Sequence, residues 1–348
     1  MAVIGNAGRK IRVVHLIRDL RIGEAQLRLL HFLEQSCPET EASLMPLGPR
    51  FDSELSSRLA GLDVTRIEPL TPPFCYSPWH LGRRLRSLAP DIVHAHGPIA
   101  RATGLFIVDR SCSMIVNTPL TDKPWRQPFG WMRTTSKRIR TVSSGVEMSG
   151  LDPRRANPRT ILMLRGYASP VVGTIAPLNA GQGLDRLIAM MATLRHVAPL
   201  ARLLLIGSGP LLERLEDQAE DLDIGDAVTI EPAPIDRTTA LAALDVFVLP
   251  ASRTVSLTPL VQAMVAGVPV VAHRTPGTQE IIRNQRNGVL VDADDPSGLA
   301  GAVIDLLKDS DRRRRMVVDA RRTVKSRFSA DEAGERALDL YRELAASP

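Results

Sequence analysis

Residues 245–291 read DVFVLPASRTVSLTPLVQAMVAGVPVVAHRTPGTQEIIRNQRNGVLV, and this stretch decides the fold. Three segments of strand length, DVFVLP, VPVVAH and VLV, are mainly apolar and begin at Asp245, Val268 and Val289. A helix-like segment lies between the first two. A short helix over QEIIRN and an Asn-Gly turn complete the series. Strands that alternate with helices in this order are typical of a parallel α/β sheet.

The same alternation continues towards both ends of the chain. In the first half we predict strands at residues 11–17, 91–94, 113–117 and 141–143, with a helix after the first strand. In the second half a strand begins at Pro170, and strands and helices then alternate up to the 245–291 stretch. The sequence therefore predicts an α/β fold of doubly wound, Rossmann-like sheets, which bind ligands at the carboxyl ends of their strands.

The alternation lapses in a connection rich in Pro, Arg and Gly around residues 157–168, and this lapse sets the predicted domain boundary. We predict a first domain over residues 1–165, a second domain over 166–328 and a C-terminal helix within 329–348. A chain of 348 residues is long enough for two such domains.

Composition narrows the class of protein. Cys37, Cys75 and Cys112 are odd in number and widely spaced, which favours neither a disulfide framework nor a zinc cluster. A reducing, cytoplasmic environment is therefore predicted. No apolar run reaches the ~18 residues of a membrane span, so we expect a soluble protein or one that is peripheral on the inner face of the membrane.

The net charge of +6 is unevenly distributed, because residues 1–163 carry +9 and the rest of the chain carries −3. A basic half indicates an anionic partner surface, such as phospholipid or a lipid-linked phosphate, and a solvated basic face is the alternative. No recognised nucleic-acid-binding module is present, so no nucleic-acid partner is predicted.

The 245–291 stretch resembles the donor half of the family-4 glycosyltransferases of the GT-B fold. The family's Ala-Met-Ala-Ala-Gly-Val-Pro-Val-Val segment is matched at residues 263, 264 and 266–271. The family's two donor-site Glu residues fall on Thr254 and Gln262, and its two phosphate-neutralising cations fall on Pro177 and Gln182. The resemblance implies two Rossmann-like domains with a cleft between them and a terminal helix, from about Ala330, that crosses back to the first domain.

The first half also departs from the family. The family's Gly-Gly-Ala-Glu turn, which lies under the nucleotide-sugar, reads Gly23-Glu24-Ala25-Gln26, and the position of a functional His is Leu120. His94 and His96 match the family's strand end, and alternate residues of a strand face the same way. We predict a structural or acceptor-side role for these two histidines and no metal site, because the sequence shows no third ligand.

Several donor-side positions remain as candidates. Glu280 keeps a family acid near the donor ribose and phosphates, and Arg253 and Arg274 are candidate substitutes for the two absent cations, with solvated arginines as the alternative. The Gly207-Ser208-Gly209-Pro210 turn matches the family's Gly-x-Gly-Pro turn, and a purely structural turn is the alternative. The predicted nucleotide-sugar-binding residues are Gly23, Gln182, Gly209, Arg253, Thr254, Gln262, Arg274, Gly277, Thr278 and Glu280.

The combined loss of acids, cations, a glycine and a histidine favours a catalytically impaired or inactive glycosyltransferase homologue that binds a ligand or regulates a partner glycosyltransferase or other protein. The alternative is an active, diverged retaining transferase that moves a sugar from a nucleotide-sugar to a cell-envelope or lipid-linked acceptor. No cofactor is expected beyond the nucleotide-sugar donor of an active enzyme. An oxidoreductase is disfavoured because the dinucleotide fingerprint is incomplete.

Residues 123–140 indicate a third ligand class. This segment holds six basic residues and no acid, interleaved with Trp125, Phe129 and Trp131. Basic and aromatic side chains together suit an anionic lipid surface, which predicts peripheral membrane contact. An ordinary loop and helix with buried aromatic residues is the alternative.

Overall fold

The computed structural model describes residues 9–21, 24–36, 39–69, 77–108, 112–118, 139–143, 145–148, 150–166, 170–232, 235–250, 256–292, 295 and 297–346. Their contacts divide the chain into two compact units. Among the described residues, the first unit comprises 9–118, 139–145 and 330–346, and the second comprises 146–329. Both units are built on parallel sheets with helices, which confirms the predicted α/β class.

The first unit contains strands β1 (Ile11–Ile17), β2 (Thr40–Pro46), β3 (Val64–Arg66), β4 (Ile92–His96), β5 (Ser113–Thr118) and β6 (Ile139–Ser143). They form one sheet in the order β3-β2-β1-β4-β5-β6, with every neighbouring pair parallel. All five residues of β4 are buried, as expected for a central parallel strand. The sequence pattern did not predict β2, which Glu41 interrupts with an exposed charge, or β3, which has only three residues.

Among the described residues, four helices connect these strands: α1 (Glu24–Ser36), α2 (Ser53–Ala60), α3 (Pro78–Leu88) and α4 (Pro98–Ile107). Asp52 begins α2 by accepting hydrogen bonds from the backbone N–H groups of Glu54 and Leu55. Gly97 begins α4 with φ of 87°, a left-handed conformation that favours glycine, and Pro98 takes the first helical position. The chain therefore enters α4 directly after β4.

The second unit contains strands β7 (Val171–Ile175), β8 (Arg202–Ile206), β9 (Val228–Glu231), β10 (Val246–Leu249), β11 (Val270–His273) and β12 (Val289–Val291). Their order is β12-β11-β10-β7-β8-β9, again with parallel pairs throughout. Its helices are α5 (Pro158–Arg165), α6 (Leu184–Arg195), α7 (Leu212–Asp221), α8 (Arg237–Ala242), α9 (Thr258–Ala266), α10 (Pro276–Ile281), α11 (Gly298–Lys308) and α12 (Ser310–Arg327).

Residues 146–165, which the sequence analysis assigned to the first domain, belong to the second unit. Leu164 of α5 is buried in the same apolar core as Leu241 and Leu244. Arg165 donates hydrogen bonds to the Ala243 carbonyl and to the Asp245 carboxylate, at 2.9 Å each. These contacts fix α5 to the second sheet, whereas the sequence boundary rested only on a lapse in periodicity.

The last helix, α13 (Ala330–Ala346), belongs to the first unit. It buries one face, formed by Ala333, Gly334, Ala337, Tyr341 and Leu344. This face packs on α1, β1, β4 and β6. Small residues at the first three of these positions allow a close approach to the sheet, and the larger Tyr341 extends into the core.

Each sheet has one place where the strand order changes direction, between β1 and β4 in the first unit and between β7 and β10 in the second. The connections on either side of such a switch point leave in opposite directions, so a crevice opens at the carboxyl ends of the two strands. Among the described helices, none combines the length and apolar character needed to cross a bilayer.

Candidate functional site

The switch point of the first unit carries three buried histidines. His15 lies on β1 and pairs in register with His94 on β4, and His96 follows two residues later on the same face. The His94 and His96 ring centroids are 4.2 Å apart, and the His15 ring centroid is 5.3 Å from that of His96. The expected proximity of His94 and His96 is therefore present, and His15 is a third member that the sequence analysis missed.

Hydrogen bonds join these rings into one chain. The Tyr341 hydroxyl lies 2.5 Å from His94 Nδ1, and His94 Nε2 lies 2.9 Å from Asn117 Oδ1. The Asn117 amide nitrogen lies 2.8 Å from His96 Nδ1, and His96 Nε2 lies 3.0 Å from His15 Nδ1. With the amide in this orientation the protons have one consistent arrangement: Tyr341 donates to His94, and His94 and His96 each donate from Nε2.

Burial keeps the rings of this chain neutral. It lowers the pKa of His94 from 6.5 to about 4, against the opposing effect of its hydrogen bond with Asn117. It also lowers the pKa of His15 and of His96 well below the ordinary value, and the neighbouring His94 adds to both shifts. Burial raises the pKa of Tyr341 well above its ordinary value, so its hydroxyl stays protonated and able to donate.

The same three histidines are the described group that could hold a metal ion, since one ring nitrogen from each lies within 4.8 Å of the others. However, both ring nitrogens of His94 and of His96 take part in the hydrogen-bond chain. A metal would have to displace some of these bonds. The arrangement is therefore that of a neutral hydrogen-bond chain that fixes the rings, the strand ends and α13 together.

A cavity of about 190 Å³ lies beside the histidine chain, at the carboxyl ends of β4 and β5. Arg28 of α1 and Arg101 of α4 line it together with His96, Gly97 and Asn117. Burial lowers the pKa of Arg101 from its ordinary value. Two arginines thus line a concave site at the position where a doubly wound sheet binds ligands.

The turn between β1 and α1 was expected to oppose donor binding. Gly23 and the side chain of Glu24 lie outside the described residues, and Gln26 is 7 % exposed. The Gln26 amide donates to the Asp19 carbonyl at 3.1 Å and to the Asp19 carboxylate at 3.4 Å. Burial raises the pKa of Asp19, but hydrogen bonds from Arg21 and Arg18 outweigh this effect and lower it. A family Glu at position 26 would place two carboxylates together, so the amide fits its surroundings.

In the second unit, Gln262 lies half-buried on α9. Arg237, the first residue of α8, donates a 2.7 Å hydrogen bond to Gln262 Oε1. The single side-chain oxygen of Gln262 therefore already contacts a cation. Thr254 and Arg253, the two other candidates of this region, lie outside the described residues.

The Gly207–Gly209 turn is packed against the loop that follows β7. A Cβ atom on Gly207 would lie 1.9 Å from the Ala176 carbonyl oxygen, and one on Gly209 would lie 2.5 Å from the Leu178 carbonyl oxygen. Leu178 N–H also donates to the Ser208 carbonyl at 3.0 Å. This packing explains both glycines structurally, and a donor contact by Gly209 stays a prediction. Pro177 is exposed and Gln182 is half-buried.

The remaining donor-side candidates lie on or before α10. Thr278 is fully buried, and its hydroxyl and N–H form a capping box with Thr275, while the hydroxyl also donates to the His273 carbonyl at 2.8 Å. Gly277 is buried, and Glu280 is exposed on the same helix. The Arg274 guanidinium donates to the Asp292 carboxylate at 2.7 Å. The capping box gives Thr278 a structural role. Donor roles for Thr278, Gly277, Glu280 and Arg274 stay predictions.

His273, the last residue of β11, was not among the residues predicted from the sequence. It is 1 % exposed, and its Nδ1 has no hydrogen-bond partner among the described residues. Burial and the nearby Arg186 lower its pKa. An apolar strand that ends on a histidine before a Gly-containing turn was the available signal. Leu120 and residues 123–138 lie outside the described residues.

Comparisons with known proteins agree with this architecture. Residues 168–323 match the family described as "Glycosyl transferases group 1". The chain is 31 % identical over 255 residues to D-inositol 3-phosphate glycosyltransferase of Corynebacterium urealyticum, an alignment that covers 70 % of this chain and 59 % of the relative. The chain spans about half to three fifths of the length of the curated relatives it matches.

Solved structures extend the likeness to both units. A glycosyltransferase from Rickettsia africae has a TM-score of 0.73 at 14 % identity and covers 97 % of this chain and 100 % of its own. Anabaena HepE in complex with UDP and glucose has a TM-score of 0.72 at 16 % identity and covers 95 % of this chain and 99 % of its own. These similarities show the α/β GT-B fold. The sequence match and the shared fold agree, and residues 168–323 of the chain belong to the group 1 glycosyl transferases.

Proposed function

We propose that this protein is a catalytically impaired glycosyltransferase that binds a nucleotide or nucleotide-sugar in its second unit. The observation that carries the proposal is the hydrogen bond from Arg237 to Gln262 Oε1. A carboxylate at this position would have acceptor sites for both hydroxyls of a ribose, whereas Gln262 has one oxygen, and that oxygen already accepts from a guanidinium. The neutral amide therefore makes a weaker ribose contact.

The other departures from the family's donor motif also favour an impaired enzyme. Pro177 and Gln182 supply no positive charge where a pyrophosphate needs it, and a charged hydrogen bond contributes about 1.5–3 kcal/mol. A transition state without one such hydrogen bond forms roughly tenfold to a hundredfold more slowly. The absence of two of them together is enough to reduce turnover by several orders of magnitude.

Ligand binding remains part of the proposal for two reasons. His273 presents a buried ring nitrogen without a described partner at the carboxyl edge of the second sheet. In addition, HepE was solved in complexes with UDP and with UDP-glucose, and one relative is named as a GDP-mannose-dependent mannosyltransferase. These names identify nucleoside diphosphates and their sugar conjugates as the ligands to test. A homologue that binds without transfer acts through its partners, so a partner glycosyltransferase or other protein is also proposed.

An active, diverged transferase is the second candidate. The names of the curated relatives describe transferases, and Arg274 lies close to the predicted donor loop. Its guanidinium is hydrogen-bonded to Asp292, whose side chain is 72 % exposed, so a donor phosphate would have to share this cation with a carboxylate. The sharing weakens the substitute contact and places this candidate second.

The test combines binding with turnover. Isothermal titration of the whole chain with UDP, GDP, ADP and their sugar conjugates is expected to give saturable binding to one nucleotide. Gln262→Glu is expected to tighten that binding about fivefold, because a charged acceptor replaces a neutral one. The control is Val318→Glu, which adds the same charge on the exposed face of α12.

Turnover is measured as nucleotide release from each sugar conjugate, with a detergent extract of bacterial membranes as the source of acceptor. We expect no release above the rate without protein. Release at about 1 s⁻¹ or faster, within the ordinary enzymic range, would establish the active transferase instead. If none of the nucleotides or their sugar conjugates binds, the ligand part of the proposal is refuted.

A further inference from the structure

The helix α12 of the second unit carries a strong positive charge. It holds eight Arg and Lys residues and two Asp residues, which gives a net charge of +6. Residues 146–329 as a whole hold 22 basic and 21 acidic residues, so the unit is nearly neutral and its charge is unevenly distributed. A charge that is concentrated on one helix of a nearly neutral unit creates a local positive potential, which attracts an anionic partner.

Only some of these basic side chains point away from the unit. The Arg313 guanidinium donates to two carbonyls near the end of α11, and the Arg321 guanidinium donates to two carbonyls in the last turn of α9. These two arginines therefore stabilise helix ends of their own unit. The side of α12 opposite its buried residues presents four other cations, which we call the basic face of α12: Arg314, Arg315, Arg322 and Lys325.

Two aspartates neutralise part of the basic face. Asp311 pairs with Arg314 near the start of the helix. The Asp319 carboxylate lies 3.7 Å from the Arg322 guanidinium and 3.6 Å from the guanidinium of Arg286, in the turn before β12. The other two cations of the face have no ion-pair partner among the described residues. Four cations and two acids leave the face with +2, to which Arg286 adds one charge.

The helix α7 of the same unit carries the opposite charge. It holds five acidic residues and one arginine, which gives a net charge of −4. Its buried residues are Leu215 and Ala219. The opposite side presents five exposed carboxylates, which we call the acidic face of α7: Glu213, Glu216, Asp217, Glu220 and Asp221. Among the described residues no cation forms an ion pair with them, so their mutual repulsion favours a cationic partner.

The two faces lie at opposite edges of the second sheet. The acidic helix α7 packs on β9, the strand at one edge. At the other edge is β12, and the turn before it contacts α12 through a 3.2 Å hydrogen bond from the Asn287 amide to the Thr323 hydroxyl. Five strand spacings of about 4.8 Å separate the two edges by about 24 Å. Since the Debye length is about 8 Å at physiological ionic strength, the faces cannot neutralise each other within one molecule.

We propose that the basic face of α12 binds the acidic face of α7 on a second copy of this chain, so that copies associate head to tail. Along its helix axis the acidic face spans about 12 Å, from Glu213 to Asp221, and the basic face spans about 17 Å, from Arg314 to Lys325. The faces therefore match in length as well as in charge. A copy that is bound through one face still offers the other, so the association is open-ended.

The contact between the two faces is small. Two helix faces of this length bury less than the roughly 1,200 Å² of a standard stable interface. Exposed ion pairs each contribute little and are screened by salt. We therefore expect weak, reversible self-association that becomes tighter as the ionic strength falls.

Neither face includes a predicted donor-side residue, so this association goes beyond the donor-side function and does not depend on it. Loss of nucleotide binding would leave the association in place. Loss of the association would likewise leave the donor-side proposal standing.

The test is sedimentation velocity of the whole chain from about 5 to about 200 µM, at about 20 mM and about 500 mM salt. At low salt the average sedimentation coefficient is expected to rise with protein concentration, and at high salt this rise is expected to disappear. The double variant Arg315→Glu, Lys325→Glu reverses two charges of the basic face, and Glu216→Lys, Asp217→Lys reverses two charges of the acidic face. Each variant alone is expected to associate at least about tenfold more weakly than the wild type.

A mixture of the two variants separates a specific interface from a general effect of net charge. Each variant keeps one face unchanged, so the mixture has one intact pair of faces. It is expected to form a 1:1 complex with the affinity of a wild-type contact and to form nothing larger. The matched control Arg83→Glu, Arg86→Glu makes the same change of charge at exposed positions of α3 in the first unit and is expected to associate like the wild type.

Three results would overturn the proposal: no concentration dependence of the wild type at low salt, equal association of the wild type and both reversal variants, or no complex in the mixture. Binding to phosphatidylglycerol vesicles that needs the basic face, without any self-association, would assign that face to a membrane surface and would overturn the proposal as well. If circular dichroism shows that a reversal variant is unfolded, Arg315→Gln, Lys325→Gln replaces it, and association equal to that of the wild type would then refute the role of the basic face.

Discussion

Acidification from about pH 7.5 to about pH 5 is expected to destabilise the first unit by about 2 kcal/mol through His94 alone. In the folded protein burial lowers the pKa of His94 from 6.5 to about 4. Between these two values the unfolded chain binds a proton that the folded chain does not, so stability is present above pH 6.5 and is lost as the pH falls towards 4. One unit of pH in this window is worth about 1.4 kcal/mol, which gives about 2 kcal/mol at pH 5.

His15 and His96 increase the loss, because burial shifts both of their pKa values in the same direction. A small domain has only about 5–15 kcal/mol of stability in total, so the combined effect is large enough to measure. The variant His94→Gln removes one titrating group and keeps a side chain that can form hydrogen bonds. It is expected to reduce the difference in stability between the two pH values by about 2 kcal/mol.

Urea unfolding followed by tryptophan fluorescence measures this difference. All three tryptophans, Trp79, Trp125 and Trp131, precede residue 146, where the described part of the second unit begins. The control is His80→Gln, on α3, which leaves the histidine chain intact and is expected to keep the pH dependence of the wild type. An identical difference for wild type and His94→Gln would refute the assignment of acid sensitivity to this chain.

Three further predictions concern other parts of the molecule. Tyr341→Phe leaves His94 Nδ1 without its donor in the core and is expected to cost about 1–3 kcal/mol in the same urea titration, while an unchanged midpoint would contradict the hydrogen bond. Gly207→Ala places a methyl group 1.9 Å from a backbone carbonyl oxygen and is expected to lower the melting temperature by several degrees. The control Gly301→Ala has open space around its Cβ and is expected to leave the melting temperature unchanged or to raise it. Flotation with anionic liposomes at low salt is expected to enrich the protein if residues 123–140 form a membrane contact, and equal recovery with neutral liposomes would exclude this contact.

The sequence was informative where a pattern is local. The apolar run at Ile11–Ile17 predicted β1 with its observed bounds, and the 245–291 stretch predicted the order of β10, α9, β11, α10 and β12. The short helix was displaced, however: α10 covers Pro276–Ile281, whereas the sequence placed it over QEIIRN, because a capping box of Thr275 and Thr278 starts the helix earlier. A sequence pattern predicts that a helix is present more reliably than it predicts the residue at which the helix begins.

Donor-side roles could be proposed only from the resemblance. The sequence showed that Gln262 is not an acid, but the hydrogen bond with Arg237, 25 positions away, depends on how α8 and α9 pack. Likewise the sequence left two interpretations for the turn at Gly209, a phosphate-binding turn or a purely structural one. The close approach of the loop after β7 supplies a structural reason for it that no local pattern contains.

By itself the sequence determined the α/β class, most of the strands and the departures from the family's donor motif, because each of these is encoded by neighbouring residues or by spacing along one element. Only the tertiary structure decided that His15 joins His94 and His96, since this arrangement depends on β1 and β4 being neighbours in the sheet. It also brought Tyr341 to His94 across 247 positions of sequence. Such contacts follow from the packing of whole elements that bury their apolar faces together, and that packing is a property of the folded chain rather than of any one segment.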